Sequence, residues 1–128
     1  MASHAIPPVV REYFAAIQRM DPDAWVACFT QQATSFEPGA SAPLQGHAAL
    51  RQFLVGVLGA FQTIGLTEDH VFASGNRVAV KFTGRGRGKN GRDVLFEGID
   101  IFEISQEGKI QMMWGYWDPG AMMAQLQG

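Results

Sequence analysis

Three side chains in this sequence form a set that can move a proton: the carboxylate of Glu37, the phenol of Tyr13 and the carboxyl of Asp100. A carboxylate, a phenol and a second acid are the groups that proton abstraction beside a carbonyl needs. Each residue also has a plainer reading. Asp100 interrupts an apolar row made by Val94, Phe96, Gly98 and Phe102. Burial there without a cation favours the neutral acid, which is a hydrogen-bond donor, whereas a tilt of the strand would let the carboxylate reach water or a nearby hydroxyl. Tyr13 lies in a helical apolar stripe, where its ring can be ordinary core and its hydroxyl needs a polar partner. Glu37, between Phe36 and Pro38, has the setting of a solvated loop acid.

The elements that must position these residues emerge from apolar spacing. Val10, Tyr13, Phe14 and Ile17 recur at helical intervals, and a helix carrying them can begin at Pro7 or Pro8. Asp21-Pro22-Asp23 offers an N-cap, a first-turn proline and an acid for a second, short helix, whose stripe continues through Trp25, Cys28 and Phe29. A brief strand-like piece from Ala33 to Phe36 leads into the loop chemistry of Glu37-Pro38-Gly39. From Gly46, residues Leu50, Phe53, Leu54, Val57, Leu58 and Phe61 describe a buried third helix. The second half then alternates. Ser74-Gly75-Asn76, Gly88-Lys89-Asn90-Gly91 and Ser105-Gln106-Glu107-Gly108 separate four antiparallel strands over about residues 63–74, 77–87, 92–104 and 109–117. Asn90-Gly91 is the pair favoured by a two-residue type I′ turn. Both faces of the last two strands are apolar, as for a curved sheet with helices inside and a second subunit outside. The predicted fold class is α+β, in one domain spanning residues 1–128.

Composition narrows the partners. The 128 residues are 47% apolar and 17% charged, enough to bury about two-thirds of the unfolded surface without disulfides, and the single Cys28 can form no internal bridge. A net charge of −2 gives no electrostatic footprint for nucleic acid or an anionic membrane. The uncharged stretch Gln52–Thr67 falls short of a membrane span, and the first eight residues lack the basic and apolar regions of a signal peptide, so the expected location is cytoplasmic. The basic segment from Gly84 to Arg92 lacks the spacing of a nucleotide-binding loop and reads as a charged hairpin tip. His4, His47 and His70 are scattered, so no metal is expected, and Cys28 in its apolar stripe reads as a small core residue.

Beyond this, the chain resembles the ketosteroid isomerase-like and SnoaL-like members of the NTF2-like superfamily. The resemblance is carried by Tyr13, by the short helix with Asp21 and Trp25, and by the segments from Phe29 to Pro38, Leu44 to Gly46, Gly98 to Glu103 and Gly115 to Pro119. It implies a cone in which N-terminal helices pack in a curved antiparallel sheet round a hydrophobic cavity. It also implies that Glu37 matches a catalytic base, Tyr13 an oxyanion-holding phenol and Asp100 a protonated acid. Trp117 matches a cavity aromatic, and Phe53, Phe82, Phe102 and Met113 are expected on its wall. The isomerases have aspartate where this chain has Glu37, and one methylene moves a carboxylate by roughly an ångström, enough to cost on the order of a hundredfold in rate. The implied function is a cofactor-independent shift of a C=C bond by proton abstraction next to a carbonyl, on a steroid-like or polyketide-like small molecule. The alternatives are a non-catalytic ligand-binding dimer and a SnoaL-like cyclase or hydrolase. A homodimer is expected through Ile110, Met112, Trp114 and Tyr116.

Overall fold

A computed structural model of the chain describes residues 6–127. The segment 1–5, which contains His4 and most of the stretch read for a targeting signal, and residue 128 lie outside them. The elements are α1 (Pro8–Gln18), α2 (Pro22–Val26), β1 (Phe29–Phe36), β2 (Leu44–Gln45), α3 (Gly46–Leu58), β3 (Phe61–Ser74), β4 (Arg77–Gly88), β5 (Asp93–Ile104), β6 (Ile110–Tyr116) and α4 (Pro119–Gln127). No helix among the described residues is long and apolar enough to cross a membrane.

Pro8 opens α1 at a position where a missing N–H costs nothing, and the helix buries Val10, Tyr13, Phe14, Ala16 and Ile17 along one stripe. Its end is a paired cap: Asp21 N–H donates to the Ala16 carbonyl (3.0 Å) and Met20 N–H to that of Ile17 (2.9 Å). Met20 takes φ 53°, a left-handed position that glycine usually fills. The Asp21 side chain then accepts from Ala24 N–H at 3.1 Å and starts α2 at once. This short connection brings Trp25 of α2 beside Tyr13 of α1, with ring centroids 5.7 Å apart.

One six-stranded sheet, in the order β2-β1-β6-β5-β4-β3, curls round the helices, with α1 packed on β3 and α3 on β1. Every pairing is antiparallel except β1 with β6, which is parallel, so the predicted four-strand meander gains two strands and a mixed edge. The inner face of β5 holds Val94, Phe96, Gly98, Asp100 and Phe102, the row expected from the sequence. Gly84, paired with Phe96, has no Cβ because the Phe96 ring fills that space.

Four sequence expectations need correction. Phe61 starts β3 instead of ending α3, because the helix stops at Leu58 and Gly59 caps it. Phe29 opens β1, since α2 is a single turn ending at Val26, and Cys28 lies in the connection, buried. At Asn90-Gly91 only the glycine has positive φ (85°), and Gly91 N–H donates to the Gly88 carbonyl at 2.9 Å. The hairpin therefore uses a type I turn followed by a left-handed glycine rather than a type I′ turn. Ile110 is fully buried and does not share the outer face with Met112, Trp114 and Tyr116, because an irregularity at Glu103/Ile104 shifts the alternation of β6. Helix α4 has no counterpart among the elements expected from the sequence.

Candidate active site

The structure brings Tyr13, Glu37 and Asp100 to one internal cavity of about 60 Å³, together with Phe53, Phe82 and Trp117. Three separate elements deliver the polar groups: α1 presents Tyr13, the residue just past β1 is Glu37, and the middle of β5 carries Asp100. Phe102 and Met113, expected on the wall, do not line it. Phe102 stands behind Tyr13 with ring centroids 4.9 Å apart, and Met113, its cross-strand partner, is buried with it. Lining residues not foreseen as such include Trp25, Leu54, Ile64, Phe96 and Met122.

Glu37 is 9% exposed, so it is no solvated loop acid. Ser35, two residues back and on the same face of β1, donates its hydroxyl to Oε2 at 2.9 Å. The Trp117 indole N–H approaches Oε1 at 3.5 Å, the limit of a hydrogen bond, which leaves that oxygen free for another donor. Burial pushes the Glu37 carboxyl above the usual carboxylate range, and the bonds from Ser35 and Trp117 oppose the rise. Ser35 is a site residue that sequence reasoning missed, although its two-residue offset from Glu37 on a strand was the available signal.

Asp100 is 2% exposed and is pushed well above its ordinary range, first by burial and then by the charge of Glu37. Two carboxylates sharing a poorly solvated site do not both ionise readily, and the deeper one keeps its proton. Of the two, Asp100 is therefore the one pushed harder toward its neutral form. The Tyr13 phenol is likewise raised well above its ordinary range, by burial first and then by the charges of Asp100 and Glu37, so it stays an O–H donor.

Gly115 lies between the two carboxyls. It pairs with Asp100 across β5 and β6. A Cβ at this position would lie 3.1 Å from Glu37 Oε1, 3.3 Å from Asp100 Oδ1 and 3.5 Å from Trp117 Nε1. Glycine therefore keeps open the ground between the two carboxyls. Gly98 has a related task, since a Cβ there would lie 2.8 Å from that of Trp117 and 2.9 Å from the Phe82 ring. Outside the cavity a groove of about 420 Å³ between α3 and α4 shares Phe53, Val57, Trp117 and Met122 with it and adds Gln52, Gly56 and Met123. His47 faces elsewhere, its Nε2 lying 2.9 Å from the Phe29 carbonyl oxygen.

Against known proteins, a model of the SnoaL-like domain family matches residues 10–113. A solved structure described as the epoxide hydrolase/cyclase-like enzyme SalBIII, of pyran ring formation in the polyether salinomycin, is 29% identical with a TM-score of 0.76, covering 87% of this chain and 88% of its own. An LEH-like epoxide hydrolase of M. tuberculosis is 20% identical, with a TM-score of 0.74 and coverage of 94% and 88%. A hypothetical protein with a ketosteroid isomerase-like fold from Catenulispora acidiphila DSM 44928, in complex with trimethylamine, is 17% identical, with a TM-score of 0.84 and coverage of 96% and 95%. The last two are likenesses of fold alone.

Proposed function

The chain belongs to the SnoaL-like domain family, within the NTF2-like superfamily, and on that premise we propose that it is a cofactor-independent acid–base enzyme that shifts a C=C bond in a hydrophobic carbonyl compound. One observation carries this reading: two carboxyl groups and a phenol converge on one apolar cavity from β5, the end of β1 and α1. The carbonyl oxygen of the substrate accepts hydrogen bonds from Tyr13 and from protonated Asp100. Glu37 Oε1 removes the proton from the adjacent carbon, and the electron pair left behind moves onto the oxygen as an enolate. Glu37 returns the proton two carbons along, so the double bond moves and the protein ends unchanged. The cavity of about 60 Å³ takes the reacting group, and the adjoining groove takes the remaining apolar skeleton.

A second reaction suits the same groups. The carboxyl oxygens of Glu37 and Asp100 both lie within 3.3 Å of the point where a Gly115 Cβ would be, and the 29%-identical relative is described as epoxide hydrolase/cyclase-like. In that reaction Asp100 gives its proton to an epoxide oxygen as the C–O bond breaks. Glu37 takes the proton of the attacking water or substrate hydroxyl as the new C–O bond forms.

The two reactions are separated by offering wild type and Glu37→Gln a β,γ-unsaturated ketosteroid, followed in the ultraviolet, and a hydroxy-epoxide, followed by chromatography. Ketone conversion lost in Glu37→Gln supports isomerisation, and epoxide opening lost in Glu37→Gln supports the second reading. Wild type at the buffer rate on both removes acid–base catalysis on these substrate classes.

The proposal includes a homodimer. Met112, Trp114 and Tyr116 lie on the outer sheet face, where Phe36 stacks on Trp114 with ring planes 8° apart.

A further inference from the structure

Among the described residues, one buried side-chain donor is left without an acceptor: Nε1 of Trp25. Stripping an indole N–H of water and giving nothing in exchange is costly, and such groups are few in folded proteins. The ring cannot swing out to relieve it. Trp25 is 1% exposed on a one-turn helix fixed by the Asp21 cap, and its ring packs edge-on against Phe29 at 4.8 Å. It also lines the cavity beside Tyr13, with the ring centroids 5.7 Å apart. Tyr13 is thus the polar side chain whose ring packs on Trp25 inside the cavity, and its phenol is pushed up chiefly by burial, a rise that Trp25 opposes.

We propose that Trp25 is a positioning residue for Tyr13: its indole N–H donates to the phenol oxygen when the phenol O–H is itself donated to a ligand oxygen in the cavity. This rests on the reading that Tyr13 holds a substrate oxygen. With no ligand the phenol oxygen is a weak acceptor and the N–H goes without a partner. Once the O–H is drawn toward a developing oxyanion, negative charge grows on the phenol oxygen and the Trp25 bond tightens, because hydrogen bonds in series polarise one another. Trp25 acts through Tyr13 and gives no hydrogen bond to the substrate oxygen. It makes Tyr13 a stronger donor as charge develops, so its effect falls on the reaction more than on binding.

The test is ¹H–¹⁵N NMR of the indole N–H groups, with 2-naphthol as the probe, a phenol that takes on negative charge when held by donors. Trp25 is assigned from Trp25→Phe, and naphthol binding is followed separately by its own fluorescence. The expected result is a downfield move of the Trp25 resonance on binding to wild type that is absent in Tyr13→Phe. A Trp25 resonance that stays still while naphthol binds, or that moves equally in Tyr13→Phe, overturns the proposal. Failure of naphthol to bind wild type removes the oxygen-holding cavity and this role with it. In turnover, Trp25→Phe lowers kcat by about tenfold with KM within about twofold, and adds nothing in a Tyr13→Phe background. An additive loss in the double variant makes Trp25 structural only.

Discussion

At the residue scale, Glu37 and Asp100 are the same functional group given different environments. Glu37 keeps two donors, Ser35 and Trp117, while Asp100 has burial and a neighbouring negative charge. Activity should therefore rise with pH as Glu37 ionises, at a pH above the ordinary carboxylate range, and fall again where Asp100 loses its proton. A bell-shaped kcat/KM profile measures this, and Glu37→Gln should abolish the rate across it. Gly115 gives a second prediction. Gly115→Ala should lower kcat/KM by about a hundredfold by displacing both carboxyls, while leaving the urea midpoint close to wild type. A variant with normal rate would mean that the ground between the carboxyls is not used. Glu37 was legible as an acid at a strand end but not as a buried one, because the tryptophan beside it, Trp117, comes from just past β6, 80 residues along the chain. Phe102 and Met113 had the right apolar row, yet the row alone does not say which members reach the cavity.

At the element scale, the α1–α2 connection does the most to build the site. The Asp21 cap and the left-handed Met20 turn the chain within two residues and set Trp25 against Tyr13. Asp21→Ala should cost about 1 kcal/mol in urea unfolding. The same variant should reduce the near-ultraviolet circular dichroism of the aromatic cluster, and an unchanged spectrum would separate the cap from the site. Both helices were visible in their apolar spacing and cap residues. Helix α4 was not, because little in its own pattern requires it. It is held by contacts remote in sequence: the Gln125 amide donates to the Leu95 carbonyl at 2.8 Å and accepts from Leu95 N–H at 2.9 Å. These bonds satisfy β5 where β6 no longer pairs with it. The Phe61 boundary was misread for a similar reason, since a buried aromatic suits a helix or a strand equally well.

At the scale of the whole molecule, the site costs stability. Asp100 and Glu37 have folded-state pKa values above their unfolded ones, so the folded protein binds protons more tightly than the unfolded chain does. That contribution is fully present below the unfolded pKa and is lost as pH rises through the folded values. Asp100→Asn should therefore unfold at a higher temperature than wild type between about pH 7 and 8, with a flatter dependence on pH. Equal melting curves would mean that Asp100 is not held as a buried acid. The apolar outer face predicts a dimer in sedimentation equilibrium that Trp114→Asp converts to monomer, and a monomeric wild type at micromolar concentration would sink it. By itself the sequence determined the features set by local period and chemistry: α1, α2 and the start of α3, the three hairpins, the apolar inner row of β5 with an acid in it, and the family likeness. Only the tertiary structure decided that Glu37 is buried, that Gly115 leaves open the space between two carboxyls, that β1 lies parallel to β6, and that α4 walls the groove. Those features depend on groups distant along the chain meeting out of water, and no local pattern encodes which surfaces will meet.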